Sequence, residues 1–100
     1  MIKKFDEKNI YNLAKAFCMI DNEEDCLRFL ADLCTVSELK AMEQRIEVAL
    51  LLSDGMIYND ILERTGASSA TISRVNRSLS GGSGGYESYF AKHGAEDENK

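Results

Sequence analysis

The stretch Thr65–Leu79, TGASSATISRVNRSL, decides how the chain is read. It holds two arginines and no carboxylate, inside a 100-residue chain with 12 basic and 17 acidic side chains and a formal net charge of −5. Gly66 offers the left-handed turn on which many helices end. Ile72, Val75 and Leu79 then recur at helical spacing. A short helix before the glycine, about Tyr58 to Thr65, and another after it, about Ser69 to Ser80, make a helix-turn-helix pattern. Small or apolar side chains must fill the angle of such a unit, and Ile61, Ala67, Ile72 and Val75 occupy those positions. Thr65 departs, standing where a larger aliphatic residue is usual.

The other face of the second helix carries the chemistry. Ser69, Thr71 and Ser73 are short hydrogen-bonding groups that fit a major groove, and Ala70 is small enough to meet a thymine methyl. Arg74 and Arg77 reach toward flanking phosphates. Ser68 in the turn joins this set, as do Tyr58 and Asn59, placed to touch the backbone or a neighbouring base. Residues 56–85 contain Arg64, Arg74 and Arg77 against Asp60 and Glu63, a net charge of +1 in an acidic protein. From Gly66 to Gly85 there is no acid at all. The distribution fits a polyanionic partner, double-stranded DNA, although +1 is weakly basic for a DNA reader.

Working outward, Ile10, Leu13, Phe17 and Ile20 share one face of a helix from Asp6 to Ile20. Asn22, followed by Glu23, Glu24 and Asp25, reads as an N-cap with acids against the positive end of a helix dipole. Thr35 and Glu38 read as a capping box that opens a third helix, ending at Asp54-Gly55. The triple leucine Leu50-Leu51-Leu52 makes that helix apolar over more than half its circumference, which suits a helix buried on several sides of an intertwined dimer. After residue 80, GGSGG predicts a helix stop and a flexible joint. It lacks the lysine and following helix of a phosphate loop. Tyr86, Tyr89 and Phe90 predict one or two further helical turns. The chain then reads as a single helical domain over residues 1–93, with an acidic, disordered tail over 94–100.

With 44% hydrophobic residues, no proline, no tryptophan and no sustained alternation, the class is all-α. One short domain buries about two-thirds of its unfolded surface, so a second copy would help it fold. The sequence opens with no secretory leader and has no apolar run of membrane-spanning length, which predicts a cytoplasmic protein. Cys18, Cys26 and Cys34 recur at intervals of eight, without the C-x-x-C pairing of a metal site, and read as buried free thiols. No nucleophile arrangement and no acid/base carboxylate pair is evident, so no catalytic residue, metal site or cofactor is expected.

The stretch Gly55–Leu79, above all GASSATISRVNRSL, resembles the Trp repressor family. With the sequel GGSGGY it looks most like the YerC/YecD branch. Asp32–Gly55, DLCTVSELKAMEQRIEVALLLSDG, is similar to the family's central helix, and the likeness spans roughly Asn22 to Tyr86. The resemblance implies a multi-helical intertwined homodimer, with two reading heads about 34 Å apart on a near-palindromic site. It implies that Ser69, Ala70 and Ser73 face base edges, that Thr71 and Arg45 meet phosphate, and that Asn59 contacts a base. In the family two arginines clamp a tryptophan. Arg45 and Arg74 match them, and Thr35 and Ser78 match two polar pocket residues. Val75, however, replaces a glycine that borders the ligand, and Asp32 replaces an apolar residue. Both argue against a tryptophan corepressor, leaving another small effector, an amino-acid-like one included, or none. The expected function is a sequence-specific transcriptional regulator, a repressor. A helical adaptor that uses the same surface on a protein is the alternative.

Overall fold

The computed structural model describes residues 7–98, with Glu7 and residues 95–98 described by backbone alone. Six helices follow one another: α1 (Glu7–Cys18), α2 (Glu23–Leu33), α3 (Val36–Ser53), α4 (Tyr58–Thr65), α5 (Ser69–Gly81) and α6 (Gly85–Glu98). Among the described residues there is no strand, so the all-α class holds. Asp6, proposed to open the first helix, lies outside them. The chain divides into two compact units, Met1–Lys40 and Ala41–Lys100.

Local chemistry sets the ends of the helices in the first unit. The Asn22 side chain accepts a hydrogen bond from the Asp25 amide at 2.8 Å, capping α2, and the Asp25 carboxylate pairs with Arg28. The hydrogen bond from Asn22, then that from Arg28, hold the Asp25 carboxyl below the usual range. At α3 the capping box is reciprocal. The Thr35 amide donates to Glu38 Oε1 at 2.8 Å, and the Glu38 amide donates to Thr35 Oγ1 at 3.1 Å. The hydrogen bond from the Thr35 backbone, then that from the Thr35 side chain, hold the Glu38 carboxyl below its usual range. Phe17 and Phe29 meet edge-on, with centroids 5.5 Å apart. Yet α2 buries no residue fully. Leu13, Phe17, Leu27 and Leu33 are exposed, and so is Val36, at 68%.

The fully buried core lies in the second unit. Val48, Ala49, Ile61, Ala67, Ile72 and Val75 are each at most 2% exposed. Leu51, Leu52, Met56, Leu79, Tyr86 and Phe90 pack around them. The four residues expected to fill the helix-turn-helix angle are therefore all core. In a single copy the leucines at 50–52 are half-buried, while the smaller Val48 and Ala49 are enclosed, because three consecutive positions on a helix cannot all face one core. One expectation needs correction. The thiols are free but not buried: Cys18 is exposed, and Cys26 and Cys34 are half-buried.

The GGSGG stretch also differs from a plain flexible joint. Helix α5 continues through Gly81, the Gly82 amide donates to Ser78 O at 3.0 Å, and α6 starts at Gly85. A Cβ on Gly82 would run into the Ser78 carbonyl oxygen, and Gly84 has φ of +84°. At Gly81 a Cβ would meet nothing. We expect Gly82→Ala to destabilise the protein by about 1–3 kcal/mol, while Gly81→Ala is neutral or stabilising by up to about 1 kcal/mol. Thermal unfolding of the two variants side by side checks this, and equal melting temperatures would refute it. Helix α6 runs on to Glu98, through residues whose composition suggests a tail. Alanine and glutamate there are good helix formers.

Candidate nucleic-acid interface

The helix-turn-helix unit is built from α4, the turn at residues 66–68, and α5. Helix α4 closes on Gly66, whose φ of 74° and ψ of 6° are left-handed and whose amide donates to Leu62 O at 2.9 Å. Thr65, which looked out of place, satisfies the turn internally. Its hydroxyl donates to Ile61 O at 2.7 Å and accepts from the Ala67 amide at 3.0 Å. Gln44 Nε2 donates to the Thr65 carbonyl oxygen at 3.4 Å, tying the turn to α3. A larger aliphatic residue at 65 could make neither hydroxyl bond, so the departure is a polar solution to the same corner.

Ser68 caps α5. Its Oγ accepts from the Thr71 amide at 3.1 Å and lies 3.1 Å from Thr71 Oγ1, to which it donates. Sequence pattern placed Ser68 among the DNA contacts. The side chain is exposed and also caps the helix, a role signalled by a serine directly before it. Beyond the cap, Ile72 and Val75 are buried while Ser69, Ala70, Arg74 and Arg77 are exposed, with Thr71 and Ser73 half-buried. One helix thus buries an apolar edge and presents a hydroxyl-rich edge flanked by guanidinium groups. Tyr58 and Asn59, at the start of α4, are also exposed. Among the described residues Arg74 and Arg77 have no ion-pair partner.

The residues that matched a ligand pocket fall in different settings within their own units. Val75 is 2% exposed and belongs to the core, so its branched side chain fills the position the family leaves to glycine. Ser78 lines a cleft of about 410 Å³ with Ile46, Ser83, Gly85, Tyr86 and Tyr89. Neither Arg45 nor Arg74 lines that cleft, and it holds no charged group that would take a carboxylate. Arg45 is exposed and makes no ion pair with a neighbouring acid. In the first unit, the Thr35 hydroxyl is occupied as a helix cap. Among the described residues no group of three His, Cys, Asp or Glu side chains could hold a metal ion, and no helix is long and apolar enough to cross a membrane.

Comparison with known proteins agrees with this geometry. The sequence profile of the Trp repressor protein family matches residues 8–94. The uncharacterised YerC protein of Bacillus subtilis (strain 168) is 43% identical over 86 residues, which cover 86% of this chain and 83% of YerC. A crystal structure of a candidate Trp repressor from Staphylococcus aureus superposes with a TM-score of 0.82 at 38% identity, covering 87% of each chain. The crystal structure of a TrpR-like protein from Eubacterium eligens ATCC 27750 gives the same TM-score at 41% identity, covering 87% of this chain and 90% of the other. With a profile that spans most of its length, and with solved structures that share its fold at this identity, the chain belongs to the Trp repressor family of helical DNA-binding regulators.

Proposed function

We propose that the protein is a sequence-specific transcriptional regulator, a repressor that binds a near-palindromic operator as a homodimer. The observation that carries this reading is the two-edged α5. Buried Ile72 and Val75 fix the helix against the core, and an acid-free edge of Ser69, Ala70, Thr71, Ser73, Arg74 and Arg77 faces outward. Ser69, Ala70 and Ser73 read base edges. Arg74 and Arg77, together with Thr71 and Arg45, hold phosphates, and Tyr58 and Asn59 contact the adjoining backbone or base. Ser68 contributes by presetting the first turn of α5.

The dimer rests on the apolar surface a single copy leaves uncovered. Leu13, Phe17, Leu27, Leu33 and Val36 are 38–68% exposed, and α2 has no buried residue. Scattered exposed leucines are ordinary, but a helical unit with no enclosed side chain lacks a core of its own. Residues 1–93 then act as one domain when a second copy completes it, in the cytoplasm and without a cofactor. Selection of duplexes from a random pool is expected to enrich a near-palindrome with half-sites about one helical turn apart, and the affinity should fall steeply with salt. Absence of enrichment together with salt-insensitive binding would refute the reading.

A second reading, a helical adaptor that docks on a protein, is favoured by Ile57 and Leu62 on α4, which are 64% and 42% exposed. It requires capture of a protein partner through α4 and α5 by a chain that enriches no DNA.

A further inference from the structure

A second cleft, of about 490 Å³, lies among the end of α3, Arg64 of α4 and the α6 residues Phe90, His93 and Gly94. No residue of the Ser69–Arg77 edge lines it. Glu47 on α3 and Asp54 in the turn just past its end are seven residues apart, about two helical turns and roughly 10 Å along the axis. The Asp54 amide still donates to Leu50 O at 3.0 Å, so the helical course reaches that far. Leu50 and Leu51 fall between the two carboxylates, and Phe90 adds an aromatic surface on the α6 side. Glu47, Asp54 and Arg64 are exposed, and none is engaged in an ion pair among the described residues. The lining therefore offers two carboxylates, one guanidinium and the His93 imidazole around an apolar strip.

We propose that this cleft binds a small diamino acid. The ligand carboxylate pairs with Arg64, its two ammonium groups pair with Glu47 and Asp54, and its alkyl chain lies on Leu50, Leu51 and Phe90. Charge decides the class. Two carboxylates against one guanidinium leave these three side chains at −1, which a ligand of net charge +1 with both signs neutralises. A simple zwitterion leaves one carboxylate unmatched, and a diamine brings two cations toward Arg64 with nothing to balance it. The volume is in the range of small-molecule sites, about 300–1,000 Å³. Because the charges are exposed, each pair adds only modestly, and discrimination comes from making all three together.

The test is titration of the isotopically labelled full-length protein, free of DNA, with three probes: L-lysine, L-norleucine and 1,5-diaminopentane. Norleucine lacks the terminal amine, and diaminopentane lacks the carboxylate. Lysine is expected to give saturable amide shifts at residues 50–54 and 90–94, and to bind about tenfold or more tightly than either other probe. Asp54→Asn and Arg64→Gln, shown to be folded by circular dichroism, should each weaken lysine binding about fivefold or more. Similar affinities for the three probes overturn the proposal, as do shifts that map elsewhere and variants that bind lysine like the parent. Failure to saturate by about 10 mM lysine overturns it too, including when a second copy covers the cleft. None of these outcomes depends on DNA binding, so this proposal and the DNA-reading proposal fail separately.

Discussion

Replacing Ile72 with alanine is expected to lower stability by about 2–5 kcal/mol, a large effect for a single truncation. Ile72 is fully buried, together with Ile61 and Val48 the largest enclosed side chains, and it packs where α5 meets the core. Removing three carbons there forfeits transfer free energy and leaves a cavity that rigid helices fill incompletely. A domain of this size commonly has about 5–15 kcal/mol in total, so the loss would consume much of it. Ser80→Ala is the matching control. Its hydroxyl is exposed and bonds only to carbonyl oxygens one turn back, and the change should stay within about 0.5 kcal/mol. Urea unfolding at one fixed protein concentration measures both, since an associating chain gains stability with concentration. If the two midpoints shift alike, Ile72 does not anchor the reading helix.

The second large effect is on DNA. Arg74→Ala should weaken binding to every duplex by about tenfold or more, and reduce the salt slope by roughly one for each copy that loses a phosphate contact. Ser73→Ala should leave that slope unchanged and relax the preferred sequence at one position of each half-site, by about 1–3 kcal/mol of discrimination. The two residues are neighbours on α5 and are proposed to do different things. Arg74 is exposed and carries a charge with no internal partner, whereas Ser73 is half-buried with a short side chain that reaches only a close surface. Quantitative binding to the selected duplex and to unrelated duplexes, each across a range of salt, separates the roles. Loss of stability in both variants without either binding change would remove the assignment.

The expectation that tryptophan is not the effector rests on one side chain. Arg45, Arg74, Thr35 and Ser78 match the family's pocket residues, but Val75 stands where the family has glycine and belongs to the buried core with Ile61, Ala67 and Ile72.

What the sequence determined by itself is what neighbouring residues can settle among themselves. The Asn22 cap, the Thr35/Glu38 capping box and the left-handed Gly66 each involve partners within four residues, so their chemistry is written locally. The reading helix was legible for the same reason. Its apolar edge of Ile72 and Val75 and its acid-free edge follow from the 3.6-residue period alone. The tertiary structure decided what depends on residues far apart. A run of three leucines does not say which side of α3 meets the core, and packing enclosed Val48 and Ala49 instead. The hydroxyl of Thr65 finds its role only once the turn has brought Ile61 and Ala67 to it, and the carbonyl of Thr65 then meets Gln44 from α3. Gly82 reads as one of four loose glycines until the Ser78 carbonyl is seen where its side chain would be. The cleft shared by Glu47, Asp54 and Arg64 had no signature at all, because burial and cavities are properties of packed surfaces rather than of any period along the chain.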